Sequence, residues 1–134
     1  MAKKKKKSAK KKREYAEHGR PLSEAEFERA MSEDFRDAWR KLRAFAAGLG
    51  EQRIYTSAKA IMFSRRVCYL FVRPKKSYLE VVFFLPKQLE HPLVKGGGEA
   101  SKTKFYNTVR LIHADQVEEP LTDWVREAFE FVGA

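Results

Sequence analysis

A chain of 134 residues, 43% hydrophobic and 13% aromatic, is long enough to bury one core and short for two domains. Its single cysteine rules out an internal disulfide and suits a reducing compartment, so the expected location is the cytoplasm. No apolar run approaches the roughly 18 residues a membrane helix needs, and no apolar stretch follows the opening lysines as a signal peptide requires.

The net charge of +10 is unevenly spread. Residues 1–20 hold ten Lys/Arg against Glu14 and Glu17, and residues 21–52 hold five against seven acids. Residues 53–110 hold twelve against three, whereas residues 111–134 hold Arg126 alone against six. Lys3, Lys4, Lys5, Lys6, Lys7, Lys10, Lys11, Lys12 and Arg13 put nine cations into eleven residues. Such a run repels itself and offers nothing to bury, so residues 1–20 are expected to be a disordered tail and residues 21–134 a single domain. Releasing counterions from a nucleic-acid backbone rewards this charge density without demanding shape. A solubilising end is the plainer alternative; an anionic membrane surface is a third, for which the tail lacks an apolar anchor.

Ser23-Glu24-Ala25-Glu26 has the form of a capping box, and Ser32-Glu33-Asp34 looks like a second N-cap. Phe35, Ala38, Trp39, Leu42, Phe45, Ala46 and Leu49 then recur at helical spacing, and Gly48 and Gly50 stop the run. The Trp39 stripe reads as core. A helical hairpin therefore precedes the sheet.

From Arg53 to Pro86 the chain is dense in β-branched and aromatic residues, the signature of adjacent antiparallel strands. Strands are expected from about Lys59 to Phe63, from Val67 to Val72 and from Tyr78 to Leu85, with Arg73-Pro74-Lys75-Lys76 as a loop. Alternation puts Leu79, Val81, Phe83 and Leu85 on one face and Tyr78, Glu80, Val82 and Phe84 on the other. Both faces are largely apolar, so the sheet is either covered twice or keeps one aromatic face for a partner. Lys87 to Thr103 reads as a Gly-rich flexible loop, Lys104 to Ile112 as a fourth strand, and the segment entered at Pro120 as the last helix, with Leu121, Trp124, Val125, Ala128 and Val132 buried.

Several catalytic patterns fail on physical grounds. Gly96 to Thr103 is one letter from a phosphate-binding loop, but strand-like alternation follows Lys102 where a helix N-terminus would have to collect the phosphate. His18, His91 and His113 have no metal-ligand spacing, and His113 with Asp115 reads as a turn or cap. Cys68 reads as a small buried hydrophobe. Glu80, alone in an apolar strand, is expected to face a cation across the sheet. No catalytic residue, cofactor or metal is expected. What survives is a basic and aromatic hairpin: Arg65, Arg66, Arg73, Lys75 and Lys76 beside Tyr55, Tyr69, Phe71 and Tyr78. Single-stranded nucleic acid favours this mixture, cations for phosphate and rings for bases; the plainer alternative is that most of these rings are core and the cations solvated turn residues.

The Phe35–Leu49 helix, Tyr55 to Phe63, Arg66 to Lys76, Tyr78-Leu79-Glu80-Val81 and the closing Trp124 to Phe129 together resemble an uncharacterised bacterial domain-of-unknown-function family. That family is akin to the YdhG-like and YjbR/MmcQ-like small α/β folds, and the likeness runs from about Phe27 to Val132. It implies a compact sheet packed by helices from both ends of the chain, without cofactor and without established activity. It is similar in fold to proteins proposed to bind DNA, and the Lys-rich tail lies outside its pattern.

The expectation is an α+β fold: an antiparallel sheet of four or five strands, packed by an N-terminal helical hairpin and a C-terminal helix. The expected function is non-catalytic association with nucleic acid through the tail and the hairpin cations. A protein-interaction module is the alternative, and a small-molecule enzyme built around Glu80, Tyr55 or His113 comes third.

Overall fold

The computed structural model describes residues 20–133, so Lys3 to Arg13 and nearly all of the expected tail lie outside the described residues. Two helices come first, α1 (Glu24–Ala30) and α2 (Glu33–Ala47). Six strands follow: β1 (Arg53–Thr56), β2 (Ile61–Ser64), β3 (Cys68–Pro74), β4 (Leu79–Leu85), β5 (Val94–Ser101) and β6 (Lys104–Leu111). A 3-10 turn over Ala114–Gln116 leads to the last helix, α3 (Leu121–Gly133). The strands form one sheet in the order β1-β2-β3-β4-β6-β5, every pair antiparallel. The segment from Arg53 to Pro86 supplies β1 to β4, including the middle pair, β3 and β4.

Local chemistry sets the helix ends. Ser23 Oγ accepts the Glu26 amide while Glu26 accepts the Ser23 amide, closing the capping box. Ser32 caps α2 by accepting the Phe35 amide. Arg36 donates to the carbonyls of Glu28 and Met31, so a cation satisfies the C-terminal end of α1. Glu24–Arg43 and Glu28–Arg40 ion pairs clasp the two helices together. Gly50, at φ 154°, brings the chain out of α2, and the Phe129 ring lies where a β-carbon would stand.

All three helices send apolar side chains to one face of the sheet. Trp39 meets Phe63 edge-on at 5.9 Å, Trp124 stacks on Phe83 at 5.9 Å and Phe129 meets Tyr69 at 5.3 Å. Ala38, Trp39, Leu42 and Ala46 are buried along α2, and Leu121, Val125, Ala128, Phe129 and Val132 along α3. Burial of a large side chain stabilises by about 1.5–3 kcal/mol, so this layer holds the fold. The Trp39 Nε1–H is buried without an acceptor among the described residues, which offsets part of that residue's contribution.

Two expectations about the sheet need correction. It has six strands, and the extra ones are β1 and β5. β1 is four residues long, too short to show a period. β5 runs through Gly96, Gly97 and Gly98 and pairs with β6 with register shifts at Lys95 and Ala100. Glycine carries no side-chain signal, so alternation is blank over the stretch read as a flexible loop. Its partner makes the strand: the Tyr106 ring lies over Gly98, with atoms 3.0–3.2 Å from where a β-carbon would stand, an aromatic filling the gap across from glycine. Asn107, fully buried, fastens the preceding segment by accepting from Leu89 N and Gln88 Nε2 and donating to the Lys87 carbonyl.

Candidate nucleic-acid interface

The second face of the sheet is where the register concentrates rings and cations. Opposed residues run Tyr55, Met62, Phe71, Val82 and Thr108 across five strands, with Phe84 beside Tyr106 and Glu80 between Arg73 and Arg110. These are the residues alternation sends away from the helices, and among the described residues no helix lies over them. Val82 is nonetheless only 2% exposed, because its cover comes from rings on its own face. Phe71 and Phe84 sit 6.1 Å apart between centroids. Phe71, Val82, Phe84, Tyr106 and Thr108, with Arg73 and Glu80 at the polar end, line a concavity of about 310 Å3.

Each cation on this face lies over a ring. Arg53 is 4.6 Å from the centroid of Tyr55, Arg73 5.2 Å from Phe71, Lys104 4.6 Å from Phe84, and Arg110 4.7 Å from Tyr78. Glu80 is the one carboxylate among these residues. It is held by Arg73, whose Nε donates to Oε1 at 2.7 Å, which meets the expectation of a cation across the sheet. The arrangement offers flat apolar surfaces ringed by fixed positive charge.

The five described cations of the hairpin do not form one surface. Arg65 and Arg66 lie at one end of β3, and Lys75 and Lys76 at the other. A seven-residue strand separates them by roughly 20 Å. Arg65 is also engaged: Nη1 donates to the Phe129 carbonyl at 3.0 Å, and the guanidinium sits 4.0 Å from the Phe129 ring centroid. It therefore serves the C-terminal end of α3. Arg66 joins Arg53, Arg65, Glu51, Gln52 and Gly133 around a more open hollow of about 470 Å3. Lys75 and Lys76 are exposed in the β3–β4 turn. Arg73 alone of the five reaches the aromatic face.

Tyr69 takes the core alternative. Phe63 pairs with Leu70 and Ser64 with Cys68, so Tyr69 is the extra residue of a bulge and turns into the core. There its hydroxyl donates to Gln52 Oε1 at 2.6 Å, and burial pushes its phenol well above the ordinary range. Cys68 is half-buried, and burial likewise raises its thiol, leaving little thiolate at neutral pH. His113 caps the 3-10 turn by accepting the Asp115 amide at 3.1 Å. No group of three His, Cys, Asp or Glu among the described residues is placed to hold a metal ion, and no described helix is long and apolar enough to cross a membrane.

Sequence reasoning missed Arg53, Phe84, Lys104, Tyr106 and Arg110 as members of one surface. Alternation in β4 had already put Phe84 with Glu80; what it lacked was the pairing that lays β4 between β3 and β6. A family profile described as "Domain of unknown function (DUF5655)" matches residues 23–132. No curated protein and no solved structure gives a significant match.

Proposed function

From a chain that belongs to the DUF5655 family of domains of unknown function, we propose a non-catalytic protein that binds single-stranded nucleic acid on the open face of its sheet. The observation that carries this reading is the set of four cation–ring pairs on a face with one carboxylate. Bases stack on rings whatever their identity, and the flanking guanidinium and ammonium groups meet the phosphates. A protein partner of ordinary composition would gain little from so one-sided a charge, whereas a polyanion complements it.

Lys3 to Lys7, Lys10 to Lys12 and Arg13 add long-range attraction in this reading, and Arg66, Lys75 and Lys76 supply phosphate contacts at the two ends of the strands. Arg65 contributes through its position beside Arg66, not as an unengaged cation. A cytoplasmic, bacterial setting and kinship with YdhG-like and YjbR/MmcQ-like folds belong to the same proposal, and their bearing on DNA is by analogy.

The test is fluorescence anisotropy of a labelled single strand titrated over a range of salt. With about nine tail cations engaged, log affinity falls against log salt with a slope of about −6 on a single strand. Removing residues 1–13 takes away most of that slope and leaves a weaker, less salt-sensitive binding. Phe84→Ala with Tyr106→Ala in the shortened chain then removes the remainder. No binding to DNA or RNA in dilute buffer, or residual binding indifferent to the loss of both rings, overturns the proposal.

A further inference from the structure

The Arg73–Glu80 pair lines the polar end of the aromatic concavity, and its hydrogen-bonding capacity is only half used. Arg73 Nε donates to Glu80 Oε1 at 2.7 Å, and a second Arg73 nitrogen, Nη2, lies 2.6 Å from the same oxygen. Glu80 Oε2 accepts no hydrogen bond from a described side chain, and Arg73 Nη1 donates to none. A carboxylate oxygen with open lone pairs therefore stands beside a guanidinium with open N–H groups, at the end of a hollow walled by Phe71, Phe84 and Tyr106. The hollow, about 310 Å3, falls at the lower limit of small-ligand pockets, about 300–1,000 Å3, a size suited to one planar ring system.

Resting on the single-strand reading above, we propose that this hollow selects guanine within the strand. Guanine's pairing edge presents two adjacent N–H donors, N2 and N1, followed by the O6 acceptor. Oε2 can accept the two donors while Arg73 Nη1 donates to O6, and the rings clamp the base faces. Uracil and thymine present two carbonyl oxygens flanking one N–H, so their edge meets the carboxylate with like charge. Adenine and cytosine each bring a single amino donor. A carboxylate is the natural reader of base N–H groups, and each well-formed two-bond contact discriminates against the wrong base.

Three uridine-based octamers of one length test this by anisotropy with the full chain: uridine alone, one central guanosine, and one central inosine. The guanosine strand binds roughly tenfold tighter than the uridine strand, and inosine, which lacks the N2 amino group, loses most of that gain. In Glu80→Gln the guanosine-to-uridine ratio drops towards one, because the amide replaces part of the acceptor surface with a donor. The inosine comparison requires no variant, so it stands even where Glu80→Gln disturbs folding. Equal binding of guanosine and uridine strands, or of guanosine and inosine strands, overturns the guanine pocket while leaving the single-strand reading intact. Failure to bind any of the three overturns both.

Discussion

The two faces of the sheet have nearly the same appetite for aromatic residues and use them differently. On the inner face Phe63, Tyr69 and Phe83 interlock with Trp39, Phe129 and Trp124 from the helices, and the one cation over these rings, Arg65 on Phe129, is tied to the Phe129 carbonyl. On the outer face Tyr55, Phe71, Tyr78 and Phe84 touch cations instead. Packing consumes the first set, and the second is left with surface to offer. Apolar content alone does not reveal which face is which. The deciding quantity is what stands opposite each ring.

The contrast can be broken from either side. The largest loss falls on the inner face: Trp39→Ala removes the fully buried indole and costs about 3–5 kcal/mol in urea unfolding. Asn107→Leu comes next. It strands the Leu89 amide and the Lys87 carbonyl, so about 2–3 kcal/mol of stability goes, and amide exchange in β5 accelerates. On the outer face Phe84→Ala costs less stability than Trp39→Ala and weakens single-strand binding by about 1–3 kcal/mol; a larger stability loss than Trp39→Ala would erase the distinction between the faces.

Effects far from both faces are smaller. Ser23→Ala removes the cap of α1 at about 1 kcal/mol. The hydrogen bond from Arg20, aided by the Ser23 amide, holds Glu26 down from 4.5 to about 2. Because the folded carboxyl is the stronger acid, its contribution is complete above the unfolded value and fades as pH falls from 4.5 towards 2. Arg20 is 68% exposed, so solvent screens the pair and the acid limb is shallow. Glu26→Gln flattens that limb in an acid unfolding titration and leaves its shape at neutral pH unchanged.

Much of the fold was legible because it is local. Ser23 and Ser32 cap their helices through bonds to residues three positions on, and the α2 stripe declares itself within fifteen residues. The period of two in β4 sorted Leu79 to Leu85 between the two faces before any pairing was known. Tyr69 failed because a bulge breaks that period at the residue itself. β5 failed because Gly96, Gly97 and Gly98 have no side chains to alternate. Whether the hairpin cations share one surface was not legible for a geometric reason: Arg66 and Lys75 are close in sequence but lie at opposite ends of a strand.

The sequence by itself determined the helices, the middle strands and the two apolar faces, since propensity, capping and periodicity act between neighbours along the chain. Only the tertiary structure decided which face the helices cover, that Tyr69 belongs to the core, and that Arg53, Arg73, Lys104 and Arg110 share one surface. Strand order and register set residues up to 57 positions apart on one face of the sheet, from Arg53 in β1 to Arg110 in β6. No rule confined to adjacent residues carries that information.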